Sequence, residues 1–124
     1  MKKFLSVASL ITLILVLTSC RSIQFNGSRT GNDSQFLMEY TIFNGTDSQV
    51  LQLDQGDLID GEIVIDGGKL SIKIQKENEE PIYETENIFF SNTIQVEAEE
   101  AGDYKITVTG KKAKGKISFV KHAE

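Results

Sequence analysis

Gly68-Lys69-Leu70-Ser71-Ile72-Lys73-Ile74-Gln75 is the stretch that decides the fold class. Leu70, Ile72 and Ile74 alternate with Ser71, Lys73 and Gln75. A period of two puts the aliphatic side chains on one face and the polar ones on the other, the pattern of a half-buried strand in an antiparallel sheet. Asp66-Gly67-Gly68 precedes it and reads as a hairpin turn, because its residues tolerate positive φ. Before that turn, residues 60–65 run as a strand, entered through a bend at Gly56-Asp57.

The same period extends in both directions. Phe36, Met38, Tyr40 and Ile42 share one side of a first strand, Asn44-Gly45 reads as a turn, and residues 50–53 as a short second strand. Downstream, residues 76–81 are a polar loop whose Pro81 is incompatible with a central strand, and residues 82–85 suit a short edge strand. Ile94, Val96 and Ala98 alternate again, as do Tyr104, Ile106 and Val108, and finally Ile117 and Phe119. Residues 99–103 and 110–115 read as turns, the latter with three lysines at its tip. No amphipathic helix follows residue 20. The expectation is an all-β domain over residues 35–124, an antiparallel β-sandwich or jelly roll of roughly seven or eight short strands, following a cleaved signal peptide.

The N-terminus supplies an address. Lys2 and Lys3 precede an apolar run over residues 4–17, and Leu17-Thr18-Ser19-Cys20 closes it. A membrane-spanning helix needs about 20 apolar residues. The shorter run here matches a signal-peptide core. Leu17-Thr18-Ser19-Cys20 resembles the lipobox of bacterial lipoproteins, which implies cleavage between Ser19 and Cys20 and a diacylglyceryl group on the Cys20 sulfur. A thiolate is the nucleophile such a transfer needs. A lone thiol is a liability outside the cell, and lipidation would consume it. Two acyl chains hold a protein stably on a bilayer where one does not. On this reading residues 1–19 are the signal peptide and residues 20–34 the lipidated cysteine with a flexible tether rich in Ser, Asn and Gly, the alternative being a first strand through Ile23 and Phe25. The expected location is the extracytoplasmic face of a bacterial cell membrane, with the membrane as one partner through Cys20.

The chain has 13 basic and 18 acidic residues and a net charge of −5. Loss of Lys2 and Lys3 takes the mature domain to about −7. A net acidic module lacks the basic footprint of a nucleic-acid binder. The same balance predicts repulsion from anionic membranes, so that the lipid alone would hold the domain.

Three pieces carry a family resemblance: Leu53-Asp54-Gln55-Gly56-Asp57, then Gly68-Lys69-Leu70-Ser71-Ile72-Lys73-Ile74, then Ala101-Gly102-Asp103-Tyr104-Lys105-Ile106-Thr107-Val108. Their order resembles Golgi-dynamics (GOLD) domains and bacterial pre-peptidase C-terminal domains. The resemblance implies a β-sandwich that binds or supports, and it carries over no catalytic residue.

The residues available for chemistry are few. His122 is the only histidine and Cys20 the only cysteine, so zinc sites built on these residues and Cys–His nucleophiles are excluded. Asp54, Asp57 and Asp60 surround one turn, Asp66 sits beside two glycines, and Glu97, Glu99, Glu100 and Asp103 crowd another turn. Calcium takes six to eight oxygens, about what such turns can offer, but the ordinary role of these residues is in turns and solvated faces. No metal and no cofactor is expected. Asn87-Ile88-Phe89-Phe90-Ser91-Asn92 places three apolar residues in a row, which cannot share one side of a strand. The rings of Phe89 and Phe90 either plug one end of the sandwich, their ordinary fate, or stand exposed as a binding surface. The function expected is therefore a non-enzymatic protein-interaction or accessory module of the cell envelope. A glycan- or wall-binding module using Phe89 and Phe90 is the alternative, and a small hydrolase comes third.

Overall fold

The structure, a computed structural model, describes residues 24–123. It is all-β and antiparallel, with strands β1 (Phe25–Asn32), β2 (Gln35–Leu53), β3 (Leu58–Lys76), β4 (Pro81–Ile88), β5 (Asn92–Glu97) and β6 (Gly102–His122). The strand order is β1-β2-β6-β3-β4, with β5 also paired to β3. Ser19, Cys20 and the expected signal peptide lie outside the described residues.

β2, β3 and β6 have 19, 19 and 21 residues, several times the roughly 5–6 of an ordinary strand. Each bends near its middle, and the three bends lie side by side. Register shifts fall at Tyr40 to Gly45 in β2 and at Ile65 to Lys69 in β3, both facing residues 110–115 of β6. The bends divide the sheet into two layers. β1, the first half of β2, the second half of β6, the first half of β3 and β5 form one layer. The second half of β2, the first half of β6, the second half of β3 and β4 form the other. Their apolar faces meet in a single core: Phe36, Ile59, Ile63, Ile117 and Phe119 from the first layer against Leu51, Leu70, Ile72, Ile74, Ile106 and Val108 from the second. These are the alternating positions that period two selects.

The expected turns at 44–45, 66–68 and 110–115 are bends inside continuous strands. Residues 36–42 and 50–53 are two arms of β2, 60–65 and 70–74 two arms of β3, and 104–109 and 117–119 two arms of β6. Glycine at these points relieves a bend as readily as it relieves a hairpin. Pairing decides between the two, because each long strand keeps the same neighbour through the bend instead of folding back on itself. Gly68 shows the requirement most clearly. Its φ is +69°, and a Cβ there would lie 2.2 Å from the Lys112 carbonyl oxygen.

The expected tether over residues 20–34 is also corrected. Residues 25–32 form β1 along β2, although every β1 residue is exposed. Phe25 sets its ring edge-on to Phe43 at 5.9 Å. Arg29 reaches across to the other layer, where its Nε donates to Asp47 Oδ2 at 2.7 Å and its Nη2 to the Ser48 carbonyl at 2.8 Å. Its guanidinium lies 4.9 Å from the centre of the Phe36 ring. Two long-range anchors of this kind hold a strand whose polar composition gives no sign of them.

Candidate functional site

The fold produces two unlike ends. All three bends gather at one, the bend end. The turns at 32–35, 54–57, 77–80 and 98–101 gather at the other, tied by backbone hydrogen bonds from Gln52 to Asp33, Gly56 to Ala98, Glu77 to Asp103 and Lys121 to Ser34.

At the bend end the β4–β5 connection runs along the edge of β3 opposite β6, from one layer to the other. Ile88 takes the inward position and is buried. Phe89 and Phe90 do not: they are 66% and 61% exposed, the largest values among the exposed large apolar side chains. Burial as an end plug is thereby excluded for both. The reason is local. Asn87 adopts φ +56°, a left-handed conformation Asn tolerates, and this breaks the alternation so that two successive rings turn outward. Their centroids are 5.4 Å apart at 85°. The loop is fixed from both sides. Asn87 N–H donates to Ser71 Oγ at 3.2 Å, Ile65 N–H donates to Ser91 Oγ at 3.0 Å, and Asn92 Nδ2 donates to the Phe90 carbonyl at 3.1 Å.

The same end carries Lys69 of β3 and Lys111, Lys112 and Lys114 of β6. Lys69 faces Lys111 and Gly67 faces Lys114 across the β3–β6 ladder, and all four lysines are exposed. Sequence reading registered three of them only as a turn tip. Lys69 lies far from the others along the chain, and only the pairing of β3 with β6 joins them.

The opposite end is acidic. A cleft of 580 Å³ lies between the edges of β4 and β5, lined by Ile82, Tyr83, Val96, Glu97 and Glu100 among others. Lys76 Nζ bridges it, donating to Glu79 Oε2 at 2.8 Å and Glu100 Oε2 at 3.3 Å. Those two hydrogen bonds hold the Lys76 ammonium above its ordinary pKa. Tyr104 donates its hydroxyl to the Glu100 carbonyl at 2.6 Å, pinning the same turn, and burial raises its pKa. Asp57 accepts from Asp54 N–H at 2.8 Å and caps its own turn. Of the acidic residues singled out in the sequence, Asp57 caps its turn, Glu100 pairs with Lys76, and Asp60 Oδ1 accepts from Gln95 Nε2 at 2.8 Å. Among the described residues no group of His, Cys, Asp and Glu has an arrangement that could hold a metal ion. His122 is exposed at the end of β6, with Leu58 opposite it.

No protein family matches the chain, and no curated protein matches it in sequence. Among solved structures, it is similar to the pre-peptidase C-terminal domain of collagenase from Bacillus anthracis, with a TM-score of 0.53 at 12% identity, covering 82% of this chain and 99% of that one. TmCBM61 in complex with β-1,4-galactotriose aligns with a TM-score of 0.43 at 20% identity, covering 79% of this chain and 70% of that one. The first likeness is one of fold: the bent, two-layered antiparallel sheet described above is a β-sandwich of the kind seen in a pre-peptidase C-terminal domain.

Proposed function

We propose that this protein is a lipid-anchored lipoprotein on the extracytoplasmic face of a bacterial cell membrane, working by binding, without chemistry of its own, as an interaction or accessory module of the cell envelope. The anchor reading rests on Lys2-Lys3, the apolar run over residues 4–17 and Leu17-Thr18-Ser19-Cys20. The observation that carries the binding role is the Phe89–Phe90 pair, exposed on a loop held by three hydrogen bonds. Burying a phenylalanine fully against a partner gains about 2–3 kcal/mol, so a rigid exposed pair is a ready contact surface. Glycan binding ranks second on the geometry of the same rings. At 85° to each other they share no plane along which a sugar chain could lie.

The test is photo-cross-linking in intact cells from residue 90 and from residue 82, one position at each end of the domain. Capture of one dominant envelope protein from either position supports the interaction module. Capture of wall polymer with no protein above background moves the assignment to the glycan reading. No capture above an unsubstituted control from either position refutes the binding role.

A further inference from the structure

The point where the chain enters the domain sets how an anchored domain is oriented. Phe25, the first residue of β1, pairs with Phe43 at the β2 bend. Asn44 N–H donates to the Gln24 carbonyl at 2.7 Å. Gln24 is therefore held at the bend end. Cys20 precedes it by four residues, which span at most about 14 Å even fully extended. An acyl group on Cys20 would enter a bilayer within that distance of the bends.

The same end carries Lys69, Lys111, Lys112, Lys114 and the two exposed rings. Among the described residues none of these four ammonium groups is in an ion pair. Asp66 is the one carboxylate in the three bends; Glu86 of β4 and Glu39, which lines one hollow with Asp66, Lys114 and Lys116, lie nearby, so Lys69, Lys111, Lys112, Lys114 and Lys116 outnumber them and the end stays net positive. The four turns of the opposite end hold eight carboxylates and no lysine or arginine. The acidic excess of the chain is thus concentrated away from the point where the chain enters the domain.

We propose that the bend end is a membrane-docking face whose occupant is the anionic headgroup layer of the bilayer that the Cys20 lipid enters. This deepens the reading above and rests on its anchor. Lysines near an anionic leaflet each strengthen contact by about fivefold. Phenylalanine rings on an interfacial face bury about 5–10 Å deep, at the boundary between headgroups and acyl chains. From β1 through β2, β6 and β3 to the 89–91 loop the face spans four inter-strand spacings, roughly 20 Å. Docked this way, the partner that Phe89 and Phe90 contact is the bilayer itself, and the acidic end with the cleft between β4 and β5 turns outward.

The chain has no tryptophan, so F90W or I82W creates a single emitter at one end or the other. The mature protein, purified from producing cells, is placed in vesicles of phosphatidylcholine alone or mixed with phosphatidylglycerol. On mixed vesicles F90W emission is expected to shift to the blue and to be quenched by lipids carrying a nitroxide at headgroup depth, while I82W shows neither effect. K111E and K112E should each lower the docked-to-free ratio by about fivefold or more, and added salt should act in the same direction. Quenching that is absent at 90, or equal at 90 and 82, overturns the proposal. The mass of the purified protein reads the lipid on Cys20 independently, so a lipidated but unquenched protein retires docking and keeps the anchor. An unlipidated Cys20 retires the anchor, and its thiol, the only one in the chain, then takes a maleimide lipid so that the same quenching decides docking.

Discussion

Gly67 and Gly68 are adjacent and chemically identical, yet substituting alanine at each should give opposite results. At Gly68 alanine must adopt φ +69°, which costs an L-residue about 1–2 kcal/mol. Its Cβ would also lie 2.2 Å from the Lys112 carbonyl oxygen and 2.4 Å from the carbonyl carbon. Both are backbone atoms, so no rotamer change relieves the contact. β3 and β6 must separate where the pairs Gly67–Lys114 and Lys69–Lys111 flank the bulge, weakening one or two ladder hydrogen bonds at about 1 kcal/mol each. Gly68→Ala should therefore destabilise by about 2–4 kcal/mol. At Gly67 no left-handed φ is required, and the nearest atom to a new Cβ is Lys114 Cβ at 3.7 Å, an ordinary contact. Alanine there restricts the unfolded chain and should be neutral or stabilising by up to about 1 kcal/mol. Urea unfolding of the two variants, with unchanged m-values, measures the difference. In thermal melts a 3 kcal/mol loss at Gly68 corresponds to about 12–24 °C. A type I′ hairpin at 66–68 would need left-handed residues at both central positions and would penalise both substitutions. Equal losses at Gly67 and Gly68, or a larger one at Gly67, would refute the bend described for β3.

The exposed rings and the core separate by stability: Phe89→Ala with Phe90→Ala should change it by no more than about 0.5 kcal/mol, whereas Phe36→Ala or Phe119→Ala should cost about 3–5 kcal/mol. Early melting of the double variant would put those rings in the core. The Tyr40 hydroxyl is buried with no hydrogen-bond partner among the described residues, so Tyr40→Phe should stabilise by about 1 kcal/mol; a loss of similar size in urea unfolding would show that the hydroxyl is satisfied. Burial also pushes Tyr40 up from 10.0 to about 12. A raised folded-state pKa gives stability that is intact below pH 10 and declines as pH rises to about 12, where about 2–3 kcal/mol is lost. Tyr40→Phe should flatten that part of an alkaline denaturation curve, and an unchanged curve would assign the decline to other groups. Cys20→Ser should release the protein into the medium or leave it as uncleaved precursor, and lipid labelling that persists in the variant would end the lipobox assignment.

What the sequence disclosed and concealed follows from the range over which each feature is determined. Period two is local, so Leu70, Ile72 and Ile74, or Tyr104, Ile106 and Val108, could be placed on a buried face without knowing what they face. Bends and hairpins draw on the same local requirement. Asp66-Gly67-Gly68 has the residues for either, and pairing with distant β6 makes the choice. β1 is marked only by Phe25: all its own residues are exposed, so no periodicity runs through it, and Arg29 secures it through Asp47 and Ser48 of the other layer. Phe89 and Phe90 could be read as core or surface until the φ of Asn87 was known.

Charge shows the same dependence on long range. A net value of −5 describes the chain well and its surface poorly, because folding long strands at their midpoints sorts residues by position along each strand. Lys69 and the lysines at 111, 112 and 114 lie near the middles of β3 and β6 and travel together to the bends. Eight of the 18 acidic residues lie in the turns that join strand ends and travel to the opposite end. Nothing in the composition forces this separation. It arises because three strands of nearly equal length bend at the same level, and the start of β1 beside the β2 bend puts Gln24 at the positive end.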